Sequence, residues 1–219
     1  MNQENATPQH YQYEVHNPRN GQRLYTVEEP TPEAVDNLYE RAREASVRLR
    51  AMTVRQRLDE LLKLKQYLLD NHQKVARRIV EETGKSLTDA LITEIFPTLD
   101  IIAYYNKHGE KILADRKVHT PLMLLGKKSW IVHEPLGVVL IISPWNYPFN
   151  LSMLPWICAF VAGNAAIMKP SKETPLKGVW RFPGSSGQSP SESAGNRMDQ
   201  FTAARRRSGS RCAPRSACG

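Results

Sequence analysis

Cysteine is scarce in this chain of 219 residues, and no apolar run is long enough to cross a membrane. The three cysteines, Cys158, Cys212 and Cys218, have neither metal-ligand nor disulfide-framework spacing, which is typical of a reducing compartment. The longest apolar segment, near 151–163, falls short of the roughly 20 residues that a spanning helix needs and contains Pro155. The N-terminus has neither the basic nor the apolar region of a secretory signal. These absences predict a cytoplasmic protein without membrane contact.

The chain also lacks paired histidines and a basic domain. Its six histidines include no pair at i, i+3 or i, i+4, so we predict no metal site. Of the net charge of +8, residues 176–219 carry +6, because seven Arg and one Lys stand against one Glu and one Asp. Residues 1–175 carry only +2. We therefore interpret the cluster Arg205–Arg207 as a solvated run rather than a nucleic-acid site, and expect no nucleic-acid partner.

The composition changes abruptly after Pro175. Within residues 176–219, Leu, Ile, Val and Phe contribute 4 of 44 residues, whereas Ser, Gly, Pro and Arg contribute 24. Such a segment buries too little apolar surface to offset its ordering entropy. The sequence therefore predicts a folded part, 1–175, and a disordered basic tail, 176–219. Our hypothesis for the tail is a reading-frame shift or aberrant splice near codon 176, which requires another frame of the gene to continue the folded pattern.

The N-terminal half predicts a strand pair followed by helices. Two short strands flank the turn 17–21, and Thr31 with Pro32 has the pattern of a helix N-cap followed by a proline at the first position. The second helix is predicted at Val54–Glu82, ending at Gly84, and its apolar stripe includes Leu58, Leu61, Leu62, Leu68 and Leu69.

A third helix is predicted from Ser86 toward Gly109, with a kink at Pro97. Together the three amphipathic helices are expected to cover one face of a sheet. The segment Thr120–Lys128 is typical of a loop with exposed leucines, and Lys128–Glu134 of a strand.

The stretch from Glu134 to Pro175 predicts a strand–helix–strand unit. The run Gly137–Ile142 has the composition of a strand buried on both faces. A proline-bounded turn follows, then an apolar helix from Phe149 to about Gly163, then a second strand, Ala165–Met168. Because such crossovers are right-handed, the two strands are expected to lie parallel in one sheet.

Polar residues follow both predicted strands at the edge where ligands bind to parallel sheets. The first strand leads to Asn146 and the second to Lys169. The Asn146 side chain suits either of two roles: donating to a developing oxyanion, or bonding its own backbone in the turn. The Lys169 ammonium suits either a ribose or phosphate contact or simple solvation at the strand end.

The strings EPLGVV, ISPWNYPFNL, AGNAAIMKPS and ETP resemble the aldehyde dehydrogenase superfamily, particularly its fatty and aromatic aldehyde-oxidising branches. The resemblance extends more weakly back to about Thr31. It implies an incomplete α/β fold in which N-terminal helices pack on the start of a Rossmann-like parallel sheet. It also implies oxidation of an aldehyde to a carboxylic acid with NAD or NADP. The strand Lys128–Glu134 matches a projecting arm that pairs with another subunit, so the resemblance implies a homo-oligomer.

The resemblance also implies roles for residues at the two strand ends. Asn146 matches the family's oxyanion-stabilising asparagine, and Lys169 a lysine that contacts the cofactor ribose. Lys172 stands where the family commonly has a glutamate that binds both ribose hydroxyls, which favours tolerance of the 2′-phosphate of NADP. Further positions that match the cofactor groove are Ile142, Ser143, Pro144, Trp145 and Ser171. For Trp145, a role as core filler remains the alternative.

The family's nucleophilic cysteine, general-base glutamate and glycine-rich cofactor turn have no counterpart in this sequence. We interpret Cys158 as a small core residue. We therefore expect no turnover by this chain alone. The alternative is a non-catalytic subunit that pairs with a full-length homologue through Trp130–Glu134. The string Thr83-Gly84-Lys85-Ser86 mimics the end of a phosphate-binding loop, but Ile79 replaces the required earlier glycine.

Overall fold

An antiparallel strand pair comes first among the described residues. In the computed structural model, which describes residues 12–177 and 179, β1 (Gln12–His16) pairs with β2 (Arg23–Glu28). Gly21 in the connecting turn has φ 70°, a conformation that favours glycine. The predicted strand pair is confirmed.

The first two long helices begin and end at the predicted signals. The side chain of Thr31 accepts from Ala34 N at the start of α1 (Pro32–Ala51). A reciprocal capping box of Thr53 and Gln56 starts α2 (Val54–Thr83), and Gly84 ends it with φ 72°. The predicted stripe was partly wrong, because Leu64 is buried while Leu69 is exposed.

The third predicted helix is divided by a π-helical segment. Ser86 caps α3 (Leu87–Ala90), the π-helix spans Leu91–Ile95, and α4 (Phe96–Leu113) follows. Pro97 lies directly after the π-helix, in the first positions of α4. The predicted kink at Pro97 stays a prediction. The helix continues past Gly109 to Leu113. Gly109 is buried against Leu58. A Cβ there would lie 3.2 Å from Leu58 Cδ2.

A second antiparallel pair, the β3–β4 ribbon, consists of β3 (Arg116–Val118) and β4 (Ser129–Ile131). The connection contains a 3₁₀ turn, Leu122–Leu124, whose side chains are exposed as predicted. The sequence did not predict β3, which is short and polar. β4 is shorter than the predicted 128–134, since only three of its residues have partners on β3.

The predicted strand–helix–strand unit is confirmed. β5 (Val138–Ile142) and β6 (Ala165–Lys169) are parallel and are connected by α5 (Asn150–Val161). The prediction that the first strand is buried on both faces was wrong. Ile141 is buried, whereas Leu140 and Ile142 are 60% and 69% exposed. One face of β5 is therefore largely uncovered by the described elements, whereas β6 is buried on both faces at Ala165 and Ala166.

The helices form the core around α5. α1 and α5 contact the β5–β6 sheet, whereas α2 and α4 pack on each other and on α5. The expectation that all three N-terminal helices cover the sheet was thus wrong, because α5 lies between the sheet and two of them. The largest fully buried side chains are Leu49, Leu58, Leu61, Leu64, Leu68, Ile79, Ile95, Ile102, Phe149, Met153, Ile157 and Leu176.

A buried arginine joins the ends of two helices. Arg57 Nε donates to Val161 O at 2.9 Å, and Nη1 donates to Leu49 O at 3.1 Å and to Met52 O at 2.6 Å. A cation at helix C-termini interacts favourably with the helix dipoles and satisfies carbonyls that lack helical partners. Arg57 thereby fixes the ends of α1 and α5 relative to α2.

A buried carboxylate fixes the segment that follows β6. Glu82 Oε1 accepts from the Tyr25 hydroxyl at 2.6 Å, and Oε2 accepts from Leu176 N at 2.7 Å. Leu176 is fully buried, so the predicted start of the disordered tail at 176 was wrong. The rest of the predicted tail, 178 and 180–219, lies outside the described residues.

Burial raises the pKa of Glu82 to about 7, although its hydrogen bonds to Tyr25 and Leu176 act in the opposite direction. Burial, followed by the nearby Glu82 carboxylate, also raises the pKa of Tyr25. Both shifts have the same origin, since neither group is well solvated in its charged form.

We expect Glu82 to make the chain less stable as pH rises. Its ordinary pKa is 4.5 and its folded-state pKa about 7, so the folded state binds the proton more tightly. The stabilisation is complete below about pH 4.5 and is lost as pH rises through about 7. The loss is on the order of 1–3 kcal/mol. Urea unfolding at pH 4.5 and 8 measures this loss as a difference in the free energy of unfolding. Between these two pH values the free energy of unfolding should fall less for Glu82→Gln than for wild type.

The matched control is Glu60→Gln, which removes a carboxylate from an exposed pair with Lys63. This variant should follow the wild-type pH dependence. If Glu82→Gln loses as much stability between the two pH values as wild type does, the assignment of this dependence to Glu82 is wrong.

Candidate active site

The carboxyl ends of β5 and β6 lie side by side. Ile142 is the register partner of Lys169, and Ser143 N donates to Lys169 O at 3.0 Å. The residues that follow both strands therefore leave the same edge of the sheet, where ligands of parallel sheets bind. We call Ser143, Pro144, Trp145, Asn146, Lys169, Ser171 and Lys172 the strand-end site.

The turn after β5 presents Asn146 at the surface. Asn146 and its neighbours Trp145 and Tyr147 are exposed, with Trp145 at 63%. The alternative of Trp145 as core filler is therefore wrong. The turn is held on both sides of Asn146. Thr174 Oγ1 donates to Trp145 O at 3.3 Å, and Lys85 Nζ lies 3.8 Å from the centre of the Tyr147 ring.

Ser143 has a buried hydroxyl at this edge. Its Oγ has no hydrogen-bond partner within the described part of the chain, and the same holds for Asn150 Oδ1. An unpaired buried hydroxyl is unfavourable, and native structures rarely keep one without a reason. The Ser143 hydroxyl is thus an unpaired polar group enclosed by protein beside the end of β5.

The residues after β6 contact the N-terminal strand pair. Lys169 is exposed, Ser171 Oγ accepts from Glu173 N at 3.3 Å, and Lys172 Nζ forms an ion pair with Glu29. Lys172 Nζ also lies 5.7 Å from the centre of the Tyr13 ring. Burial, and then the negative charge of Glu29, raise the pKa of Tyr13.

Sequence reasoning missed Glu29 as a neighbour of this site. Glu29 follows β2, and only the packing of the strand pair brings it to Lys172. It also missed Glu94, whose carboxylate accepts from Phe149 N directly after the Asn146 turn. No local pattern signals either contact, because both partners are distant in sequence.

Cys158 is partly buried in the last turn of α5, at the opposite end of this helix from the Asn146 turn. The Tyr105 hydroxyl lies 3.3 Å from its Sγ. That hydrogen bond, followed by burial, raises the pKa of Tyr105 to about 12. The position agrees with a packing residue rather than a nucleophile.

The described residues contain neither a metal-binding cluster nor a membrane-spanning helix. Among residues 12–177 and 179, no group of three or more His, Cys, Asp or Glu side chains is arranged to hold a metal ion. No helix in this part of the chain combines the length and apolar character needed to span a membrane. An open groove between α2, the π-helix and α4 is lined by apolar side chains and His72, without converging polar groups.

The strand-end site fits a nicotinamide dinucleotide. Its two lysines, Lys169 and Lys172, suit a polyanionic ligand. The residues that would hold the dinucleotide are therefore Ile142, Ser143, Pro144, Trp145, Lys169, Ser171 and Lys172. Asn146, exposed in the same turn, adds a carboxamide donor at this edge.

Known proteins are similar to this chain over most of its described part. The chain is 42% identical over 142 residues to 4,4'-diapolycopene aldehyde oxidase from Methylomonas sp, covering 64% of this chain and 27% of that protein. It is 40% identical over 119 residues to 4,4'-diaponeurosporen-aldehyde dehydrogenase from Staphylococcus aureus. This match covers 54% of this chain and 26% of that protein. The chain thus spans about a quarter of the length of these relatives.

A solved structure is similar over most of the described residues. It is the NADP-dependent glyceraldehyde-3-phosphate dehydrogenase from Bacillus halodurans C-125 complexed with NADP. The TM-score is 0.69 at 27% identity, over 77% of this chain and 36% of that one. The model of the aldehyde dehydrogenase family matches residues 5–182. The chain therefore belongs to the aldehyde dehydrogenase family.

Proposed function

We propose that this chain supplies the oxyanion donor and part of the dinucleotide site of an enzyme that oxidises an aldehyde to a carboxylic acid with NAD or NADP. The observation that carries the proposal is the parallel register of Ile142 with Lys169, which brings both strand ends to one edge. Family membership supports the same chemistry.

Asn146 is the residue to which we assign a catalytic role. Its side-chain N–H donates to the aldehyde oxygen and stabilises the negative charge that develops there when a nucleophile attacks. The strand ends bind the dinucleotide, with Lys169 toward a ribose and Ile142, Ser143, Pro144 and Trp145 along the adenosine side. The bound dinucleotide supplies the acceptor for the hydride.

We also assign the choice between NAD and NADP to Lys172 and Glu29. Lys172 offers a cation for a 2′-phosphate, while the Glu29 carboxylate in the ion pair partly neutralises it. The similar structure of an NADP-dependent enzyme complexed with NADP supports the use of NADP by this fold. Glu29 therefore weakens the preference that Lys172 provides.

We expect Glu29→Gln to increase NADP⁺ affinity by about 2- to 5-fold with little change for NAD⁺, because exposed ion pairs are worth at most about 1 kcal/mol. Lys172→Met should lower the affinity for NADP⁺ more than the affinity for NAD⁺. Titration of the 219-residue chain with each dinucleotide, followed by NMR, measures both affinities and locates the shifted resonances.

The control is Lys63→Met, on an exposed pair in α2 outside the strand-end site. It should leave both affinities unchanged. Resonance shifts confined to residues outside the strand-end site would refute the dinucleotide assignment, and equal effects of Lys172→Met on both dinucleotides would refute the role of Lys172.

We expect no aldehyde-dependent formation of NADH or NADPH by the 219-residue chain. The physical reason is that Cys158, the cysteine within the described part of the chain, lies in the last turn of α5 and away from the Asn146 turn. Absorbance at 340 nm with a fatty and an aromatic aldehyde measures turnover, with an intact family enzyme as the positive control. Turnover above the protein-free blank would overturn this part of the proposal.

A second candidate function is that of a non-catalytic subunit that pairs with a full-length homologue. The observation that favours it is the β3–β4 ribbon, on which Trp130 is 54% exposed beside the exposed Ile131 and Val132. A short apolar strand that is paired on one side only is suited to extend a sheet across a subunit boundary.

We expect Trp130→Lys together with Val132→Lys to abolish co-purification with a tagged full-length homologue, because charges on the ribbon oppose pairing. Leu136→Lys serves as the control, since Leu136 is 90% exposed but lies outside the ribbon. Undiminished co-purification of the double variant would exclude the ribbon as the pairing surface.

A further inference from the structure

Glu94 is a fully buried carboxylate in the middle of the π-helix. Its side chain is 0% exposed, and Oε1 lies 2.7 Å from Lys85 Nζ, whose own side chain is largely buried. Buried ions are strongly destabilising unless they are paired and hydrogen-bonded. The position of Glu94 therefore requires further partners besides Lys85.

Those partners are at the start of α5. Glu94 Oε2 accepts from Phe149 N at 2.8 Å and from Asn150 N at 3.3 Å. The first N–H groups of a helix have no helical acceptor, and the residue at the N-cap position of α5, Phe149, makes no side-chain capping bond. Glu94 thus caps α5 from a different helix, and its negative charge lies at the positive end of the α5 dipole.

Lys85 extends the same contacts to the Asn146 turn. Its ammonium lies 3.8 Å from the centre of the Tyr147 ring, a cation–π contact with the residue directly after Asn146. Gly84, in the left-handed conformation at the end of α2, precedes Lys85 and turns the chain there. In the string Thr83-Gly84-Lys85-Ser86, Gly84 therefore ends α2 and Lys85 contacts Glu94 and Tyr147.

The π-helix is part of this arrangement. Single π-helical turns inside α-helices occur frequently at functional sites. On both sides of Glu94 hydroxyls satisfy carbonyls of the helix: Thr93 Oγ1 donates to Asp89 O at 2.8 Å and Thr98 Oγ1 donates to Glu94 O at 2.8 Å. Glu94 thus lies in a π-helical segment in which the backbone carbonyls of Asp89 and Glu94 accept hydrogen bonds from threonine hydroxyls.

We infer that Glu94 and Lys85 are positioning residues that hold the Asn146 turn in place for the oxyanion. The Glu94 carboxylate fixes the backbone two and three residues after Tyr147, and Lys85 fixes the Tyr147 ring. Thr174 fixes Trp145 on the other side. The inference rests on the proposed role of Asn146 for its catalytic meaning, whereas the contacts themselves are independent of it.

The test compares two neutral double variants of the 219-residue chain by NMR hydrogen exchange. Glu94→Met with Lys85→Met replaces the ion pair by apolar side chains, a change that cores commonly tolerate. We expect the Phe149 and Asn150 amides to exchange about 10- to 100-fold faster, because they lose a charged acceptor. Glu94→Gln with Lys85→Met keeps an uncharged acceptor and should restore part of the protection.

A second measurement separates positioning from general stabilisation. In both double variants the side-chain amide resonances of Asn146 should shift. The protection of the α2 amides should fall no further than the measured change in the free energy of unfolding requires, whereas the protection of the Phe149 and Asn150 amides should fall further. Glu60→Gln, which affects an exposed pair only, should leave all of these unchanged. A purely structural role would lower protection throughout the core and would not single out the turn.

Two results are decisive. If Glu94→Met with Lys85→Met leaves Phe149 and Asn150 as protected as in wild type, or leaves the Asn146 resonances unmoved, the inference is wrong. If the exchange and the Asn146 resonances change as expected but an aldehyde with dinucleotide does not perturb Asn146 in wild type, the positioning stands and the proposed function fails.

Discussion

The parallel pairing of β5 with β6 is the constraint on which the rest of the structure depends. Two adjacent parallel strands require a crossover, here α5, and the crossover carries most of the apolar surface of the unit. α2 and α4 pack on α5, while α1 contacts the sheet. The same pairing ends both strands at one edge, so the packing of the core and the location of the strand-end site have a single origin.

Three buried charged groups then fix the segments around this unit. Arg57 binds carbonyls at the ends of α1 and α5, Glu82 binds the backbone after β6, and Glu94 binds the start of α5. Removing ions from water is unfavourable, so each of these groups needs several partners in a defined geometry. Each of these groups also connects segments that are far apart in the chain. Glu82 and Glu94 do so close to the strand-end site.

Exposed apolar side chains lie on two of the described strands, β4 and β5. Leu140 and Ile142 on β5 lack a covering layer among the described residues, and the β3–β4 ribbon exposes Trp130. The chain spans about a quarter of the length of these relatives. Surfaces of this kind favour association with another chain.

The sequence by itself determined the local structure and the order of the elements. Caps at Thr31 and Ser86, the glycine end of α2 and the turn residues after β5 act within a few positions of the chain, so their effects can be predicted from neighbouring residues. Only the tertiary structure decided that Glu94 caps α5, that Glu29 pairs with Lys172 and that one face of β5 stays exposed. These features depend on contacts between distant segments, and packing in three dimensions sets them rather than any local pattern.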